Sequence, residues 1–398
     1  MSSIDFKSEA LALKDQLVAW RRDFHRHPEL GFQEVRTSGV VTKHLIALGL
    51  EVQTGVGKTG VVGVLDGAQP GPVVMLRFDM DALPIQEENE TDYVSRNPGV
   101  MHACGHDAHT AIGMGVARLL ARHRERLRGA VKFVFQPAEE GFGGALSMIH
   151  DGVLEEPRPA IALGLHVWNH APSGHAEIGA GPVMAAAGLF KITVRGQGGH
   201  GALPHKAVDA VLAGAAIVNA LQSIVARNVE PRQAAVVSVC TFHAGSAFNI
   251  IAETAELSGT FRSFDEEVHA LLIKRIREVA EGTAAAMGAA AEVDIRTISP
   301  ATYNDTGVAK VVREIAADLL GAEHVSADQF TMGSEDMSEF LKRVPGCFFF
   351  LGSRNEAKGA TAPHHNPRFD IDEDVLPLGV AILARAAAQV VFDKTNDK

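Results

Sequence analysis

Val73-Val74-Met75-Leu76-Arg77-Phe78-Asp79-Met80-Asp81 is an apolar run that breaks into carboxylates at its C-terminal end. Residues 73–78 are short, apolar and flanked by polar positions, so they read as a strand covered on both faces. Working outward, runs of the same kind occupy 61–65, 131–135 and 161–165. Helical spacing lies between several of them, at 108–122 and 144–151. It also precedes them, in an opening helix where Leu13, Leu17, Trp20 and Phe24 recur and in a second helix over 37–48. Strands alternating with helices predict an α/β fold built on a mostly parallel sheet.

The middle of the chain has another rhythm. A strand over 190–195, a helix over 207–227, strands over 235–242 and 255–261, a helix over 265–287 and a strand over 292–296 follow in turn. Ser263 and Glu266, three apart, look like the capping box that opens the second helix. The order β-α-β-β-α-β is the ferredoxin-like α+β arrangement, a complete small domain. Strand–helix units resume at 346–352 and from 374 onward. The expected architecture is therefore a discontinuous domain, 1–186 and 298–398, interrupted by an inserted domain at 187–297. A cleft between two such bodies is where ligand sites tend to lie.

The chain has 398 residues and a formal net charge of -11, with no basic run, which argues against nucleic acid or anionic membrane as partner. Asp5, Lys7, Glu9, Lys14 and Asp15 interrupt any secretory core near the start, and no apolar run of about 18 residues is expected to span a membrane. Cys104, Cys240 and Cys347 show no disulfide spacing, so a reducing, cytoplasmic setting is expected.

Chemistry concentrates in a few segments. His102-Ala103-Cys104-Gly105-His106-Asp107-Ala108-His109 packs thiol, imidazole and carboxylate into the start of a predicted helix, a density that favours a metal site over a polar loop. Gln136-Pro137-Ala138-Glu139-Glu140 places two carboxylates just past a strand, where open α/β sheets bind ligands; an exposed helix start would look the same. His166 follows an apolar strand and reads either as a ligand or as a core histidine bonded to backbone. His364 and His365 follow the strand at 346–352. Asp79 and Asp81 read as ligands or loop caps. Five strand-end positions of ligand type jointly favour a metal centre, and mixed N, O and S donors suit Zn, Mn, Co or Ni. Within the insertion, Gly196-Gln197-Gly198-Gly199-His200-Gly201 lacks the Lys-Ser/Thr of a phosphate loop and reads as a tight loop, either structural or presenting His200. Arg262 could hold a substrate carboxylate bidentately or form a surface ion pair, and Asn249 is a similar polar interruption.

Taken together, the segments at 76–84, 101–109, 136–144, 164–168, 198–205, 248–251, 332–336 and 365–369 resemble the dinuclear-metal aminoacylase/carboxypeptidase peptidases. The nearest group is the bacterial hippurate hydrolases and plant auxin-conjugate amidohydrolases. The resemblance implies two divalent ions per subunit held by Cys104, His106, Glu140, His166 and His365, with Glu139 as general base. It implies His200 as the group that polarises the substrate carbonyl, often across a dimer, and Asn249 and Arg262 as carboxylate binders. A His-x-Pro pattern favours His365 over His364. The inserted domain is expected to act as lid and dimerisation module, giving a homodimer or higher homo-oligomer. The implied reaction is hydrolysis of an N-acyl amino acid such as benzoylglycine, with an N-acetyl-diamino acid as the alternative substrate. Two rival readings stand beside it: a cysteine hydrolase with Cys104 as nucleophile, and a non-catalytic, metal-stabilised binding protein. Cys240 and Cys347, in apolar strands, are expected to be core thiols.

Overall fold

The computed structural model describes residues 4–328 and 330–391. The chain divides into two compact units. One comprises residues 1–181, 303–329 and 336–398, and the other residues 182–302 with 330–335.

The first unit is built on an eight-stranded sheet. In spatial order its strands are Glu51–Val56, Gly60–Asp66, Arg128–Gln136, Gln69–Asp79, Ile161–Pro172, Gly346–Arg354, Ala176–Glu177 and Val325–Ser326. The central four pair in parallel, whereas Glu51–Val56 and Gly60–Asp66 are antiparallel edge members. The strand at 73–78 extends to Gln69–Asp79, and its neighbour at 161–165 runs on to Pro172, so His166 lies within a strand and not at its end. Period-2 alternation assigns the faces. Leu165 meets Gly379 of the helix Leu376–Val391, while adjacent Gly164 meets Met337 on the other side.

The opening helix is two helices, Phe6–Leu11 and Lys14–Arg26, which pack with His106–Arg122 and Leu376–Val391. The stretch Glu373–Val391 is long and apolar enough to cross a membrane by composition, which corrects the expectation that no such stretch exists. It is 72% buried and supplies Val380, Ile382, Leu383 and Ala387 to the core.

The second unit carries a four-stranded antiparallel sheet in the spatial order Ala235–Ala244, Thr254–Ser263, Ala186–Arg195, Ala290–Ser299. Two helical stretches accompany it. Glu266–Ala286 is capped by Asp265, whose carboxylate accepts from the N–H groups of Glu267 and Val268, so the Ser263–Glu266 capping box does not form. The stretch read as one helix is two, Ala210–Leu221 and Ser223–Asn228. Phe190, Ile192, Leu257, Phe261, Leu272 and Ile276 fill a core of their own. Cys240 sits on the edge strand and is exposed, so it is not a core thiol; Cys347 is buried in the first unit.

Candidate metal centre

Gly105 adopts φ 91° immediately before the helix His106–Arg122, turning the chain so that Cys104 and His106 point inward from the helix start. A Cβ there would lie 2.3 Å from the Val167 side chain. The sulfur of Cys104 and one ring nitrogen each of His106 and His166 lie within 4.8 Å of one another. The same limit holds for Cys104, Glu140 and His365, and for His106, Glu139 and Glu140. Six residues from four separate segments of the first unit thus interlock into one donor cluster. His200, Asn249 and Arg262 belong to the second unit.

Hydrogen bonding orients the rings. His106 Nδ1 lies 2.9 Å from the Asp81 carbonyl and 3.2 Å from its carboxylate, so Nδ1 carries the proton and donates, which turns Nε2 toward the cluster. His166 Nδ1 lies 2.6 Å from the Val167 carbonyl, and its Nε2 faces Cys104 Sγ at 3.4 Å. Among the described residues, the buried His106 Nε2 and Glu140 Oε1 have no hydrogen-bond partner. Glu140 Oε1 does lie 3.3 Å from His365 Nε2. Inward-facing imidazole nitrogens, an orphaned carboxylate oxygen and a thiol are the donor set a divalent transition ion accepts.

The electrostatics agree. Burial, reinforced by Glu140, Glu139 and Asp79, pushes the Cys104 thiol well above its ordinary pKa. Burial opposes a charge on His106, yet Asp79 and Asp81 raise its pKa to about 10. Burial, with His109 and His364 nearby, drives His166 well down. Around Cys104 and His106, excess negative charge thus gathers protons where a cation would sit, while His166 is kept neutral, the form that ligates.

Nearby residues of ligand type play other parts. His109 donates from Nδ1 to Asp79 at 2.6 Å and accepts from Val167 N–H at Nε2, 2.9 Å, so both nitrogens are occupied. Asp79 is a buttress that also receives Arg77 at 2.6 Å, though one of its oxygens can share a cluster with His106 and His109. Asp81 holds the His106 ring and accepts the Glu140 N–H at 3.0 Å. His364 accepts the Asn169 N–H at Nε2, 3.2 Å, which leaves His365 as the member of the pair in the cluster.

In the second unit, His200 pairs with Ile250, and Gly201 N–H reaches the Asn249 carbonyl at 2.9 Å, so His200 and Asn249 are neighbours. Arg262 is not with them. It pairs with Ala187 at one end of its strand, while Thr254 at the other end pairs with Arg195, just before the His200 loop. Eight residues of strand separate those ends by about 26 Å. Sequence reading also passed over Glu34 and the set Arg77–Gln136–Asp336, in which Arg77 bonds Gln136 at 2.7 Å and Asp336 at 3.0 Å. An arginine inside an apolar strand was the available signal, since a buried guanidinium requires partners.

Residues 75–389 match the peptidase family M20/M25/M40. Thermostable carboxypeptidase 1 of Saccharolobus solfataricus is 40% identical over 390 residues, covering 97% of this chain and 98% of its own. An IAA-amino acid hydrolase of Arabidopsis thaliana is 39% identical over 401 residues, covering 99% and 90%. The crystal structure of a dinuclear metal binding peptidase from the M20 family of Bacillus subtilis superimposes with a TM-score of 0.83 at 34% identity, covering 96% and 99%. With its donor cluster assembled in the first unit and its relatives matching it nearly end to end, the chain belongs to the M20/M25/M40 peptidase family.

Proposed function

We propose that this chain is a dinuclear-metal amidohydrolase that cleaves the amide bond of N-acyl amino acids, of which benzoylglycine is the type. The observation that carries the reading is the pair of imidazoles, His106 and His166, each with Nδ1 committed to a carbonyl and Nε2 turned into a cluster with Cys104, Glu140 and His365. These five side chains would hold the ions. Divalent ions there, zinc, manganese, cobalt or nickel, supply Lewis acidity that activates water and polarises a carbonyl.

The chain's own groups then perform the proton chemistry. Glu139, beside Glu140 and within 4.8 Å of His106, accepts the proton of the attacking water. It passes that proton to the amide nitrogen as the C–N bond breaks, giving a carboxylic acid and a free amino acid. His200 steadies the developing oxyanion, and Arg262 and Asn249 hold the substrate carboxylate. The separation of about 26 Å between Arg262 and the His200 end of the sheet exceeds the length of any such substrate. A homodimer in which one chain supplies Arg262, while His200 of the partner subunit and Asn249 of the partner subunit complete the site, reconciles the two. Exposed Leu212, Phe242 and Ile250 on the second unit, with an open sheet edge at Ala235–Ala244, supply a surface for that contact. Three unpaired cysteines suit a cytoplasmic enzyme.

The cysteine-hydrolase reading fares worse, because burial presses Cys104 toward its neutral thiol and that reading gives Glu140 and His365, clustered with Cys104, no task. The test strips the protein with a chelator and assays benzoyl, acetyl and indoleacetyl amino acids and acetyl-diaminopimelate, with and without added Mn, Zn, Co or Ni. Activity should vanish and return with metal. Glu139→Gln should keep its ions and lose at least about 100-fold in kcat. Full activity in the stripped protein would return Cys104 to consideration.

A further inference from the structure

We infer that Glu34 is a positioning residue for the proposed general base, clamping the peptide that carries Glu139; the inference rests on the role given to Glu139 above. Ala138, the residue before Glu139, is fully buried and held at φ 54°, a left-handed conformation that a residue with a Cβ rarely adopts. Its N–H has one recipient, Glu34 Oε1 at 2.9 Å. Glu34 lies more than a hundred residues away, at the start of the helix Val35–Ala47, and is fully buried. Its second oxygen receives the Thr59 hydroxyl, while the Thr59 carbonyl receives Ser38.

The rest of the turn is equally constrained. Gly144 N–H reaches the Ala138 carbonyl at 3.1 Å, and a Cβ on Gly144 would lie 1.7 Å from the Pro137 carbonyl oxygen. On the far side of Glu139, the Glu140 N–H goes to Asp81 at 3.0 Å. Two buried carboxylates from distant segments therefore hold the N–H groups of the two residues on either side of Glu139. Among the described residues Glu34 pairs with no cation, so its charge is not accounted for by an ion pair. A buried carboxylate without a counter-charge is costly to keep. What this one does is receive the amide of the strained peptide and one hydroxyl. Without it the Ala138 N–H is orphaned, the left-handed turn relaxes, and the Glu139 carboxylate swings from its place beside His106 and Glu140.

The experiment uses the full chain reconstituted with Mn and assayed on its best N-acyl amino acid. Glu34→Leu removes the acceptor at similar volume; Glu34→Gln keeps an acceptor oxygen for Ala138. A displacement of about 1 Å in a reacting group can cost about 100-fold in rate, so Glu34→Leu should lower kcat by about that factor. KM should stay within about twofold and metal content at the wild-type value, because no proposed ligand is touched. Glu34→Gln should retain kcat within about fivefold. In a Glu139→Gln background, Glu34→Leu should cost nothing further, since the group it positions is gone. Should Glu34→Leu not fold, Thr59→Val, which loosens the carboxylate, should lower kcat several-fold with metal content and KM at their wild-type values. Wild-type kcat in Glu34→Leu, or in Thr59→Val where that variant stands in for it, would overturn the inference. So would a loss that adds fully to that of Glu139→Gln, or one matched by lost metal. If Glu139→Gln itself turns over like wild type, the role of Glu139 fails first, and that result is separate from the Glu34 series.

Discussion

Replacing Arg21 by Met removes a guanidinium that is wholly enclosed. Its Nε lies 2.8 Å from Asp107, its Nη2 2.7 Å from Asp370 and its Nη1 3.3 Å from Glu373. Asp107 sits between His106 and Ala108, and Asp370 and Glu373 follow His365, so one side chain from the helix Lys14–Arg26 ties down two segments of the donor cluster. Removing one member of a buried pair leaves its partner charged and uncompensated, typically at about 3–5 kcal/mol. Here the lower end applies. Asp107 keeps His25 at 2.7 Å and the Ala108 N–H at 2.9 Å, and Glu373 keeps Arg22 at 2.6 Å. At roughly 2–3 °C per kcal/mol, a loss of about 3 kcal/mol lowers Tm by about 6–9 °C. The sign with pH follows from the carboxylates. Burial works against charge on Asp107 and Asp370, but Arg21 holds both below the ordinary carboxylate pKa. Their stabilisation is fully present above the unfolded value near 4 and lost progressively as pH falls from there toward the folded values, so the gap between wild type and variant should begin to narrow below about pH 4. Denaturant titrations of metal-stripped protein at pH 7 and at about pH 3 read this directly. The double variant Arg21→Met with Asp107→Asn should recover part of the loss at pH 7. A loss under about 1 kcal/mol at pH 7, or a double variant no better than the single, would refute the reasoning.

His365→Ala should bind fewer ions per chain and lose at least about 1,000-fold in kcat, whereas His364→Ala should keep its metal and lose about 1–3 kcal/mol because the Asn169 N–H is orphaned; metal analysis and thermal melts separate the two. Lys132, buried on the strand Arg128–Gln136 with its ammonium 2.8 Å from the Val153 carbonyl, has its pKa lowered by burial to about 8. A depressed lysine destabilises the fold below its folded pKa and ceases to do so as pH rises toward 10.5, so any advantage of Lys132→Met at pH 7 should shrink between pH 8 and pH 10 by at most about 1.4 kcal/mol per pH unit. Denaturant titrations of stripped protein at those pH values check it, and an advantage that grows with pH would contradict the stated sign.

The central strands were legible because each is a short apolar run broken by polar residues, and burial on both faces demands that pattern. The short strands Ala176–Glu177 and Val325–Ser326 were not, since two residues carry no periodicity. The strand Glu51–Val56 was missed for a different reason: its residues are mostly exposed and it hides as polar sequence. Cys240 misled because its apolar neighbours alternate on an edge strand whose outer face is open. At the site, residue types at 102–109 and 139–140 announced metal chemistry, but division of labour among them did not show. His109 and His106 are three apart and alike in sequence. Only the Val167 amide, which occupies one nitrogen of His109, and the Asp81 carbonyl, which turns the other ring, tell buttress from proposed ligand.

Strain marks the same division. Among the described residues, four other than glycine have positive φ: Phe32, Lys58, Ala138 and His365. Two of these bear directly on the cluster, and each is held by a hydrogen bond from its own N–H. His365, at φ 64°, donates to the Ala103 carbonyl at 2.8 Å, which brings its ring alongside Cys104. Ala138, at φ 54°, donates to Glu34, which sets Glu139. A left-handed residue with a Cβ persists only where its surroundings over-determine it. Here the surroundings are carbonyl and carboxylate acceptors on rigid elements, and the conformations they enforce aim one donor and one proposed base at the same point. Propensity alone would place glycine at both positions. That histidine stands at 365 follows from what it must do, since a ring is needed to reach the cluster, and the Ala138 methyl sits over Gly31, where an added Cβ would lie 3.1 Å from it.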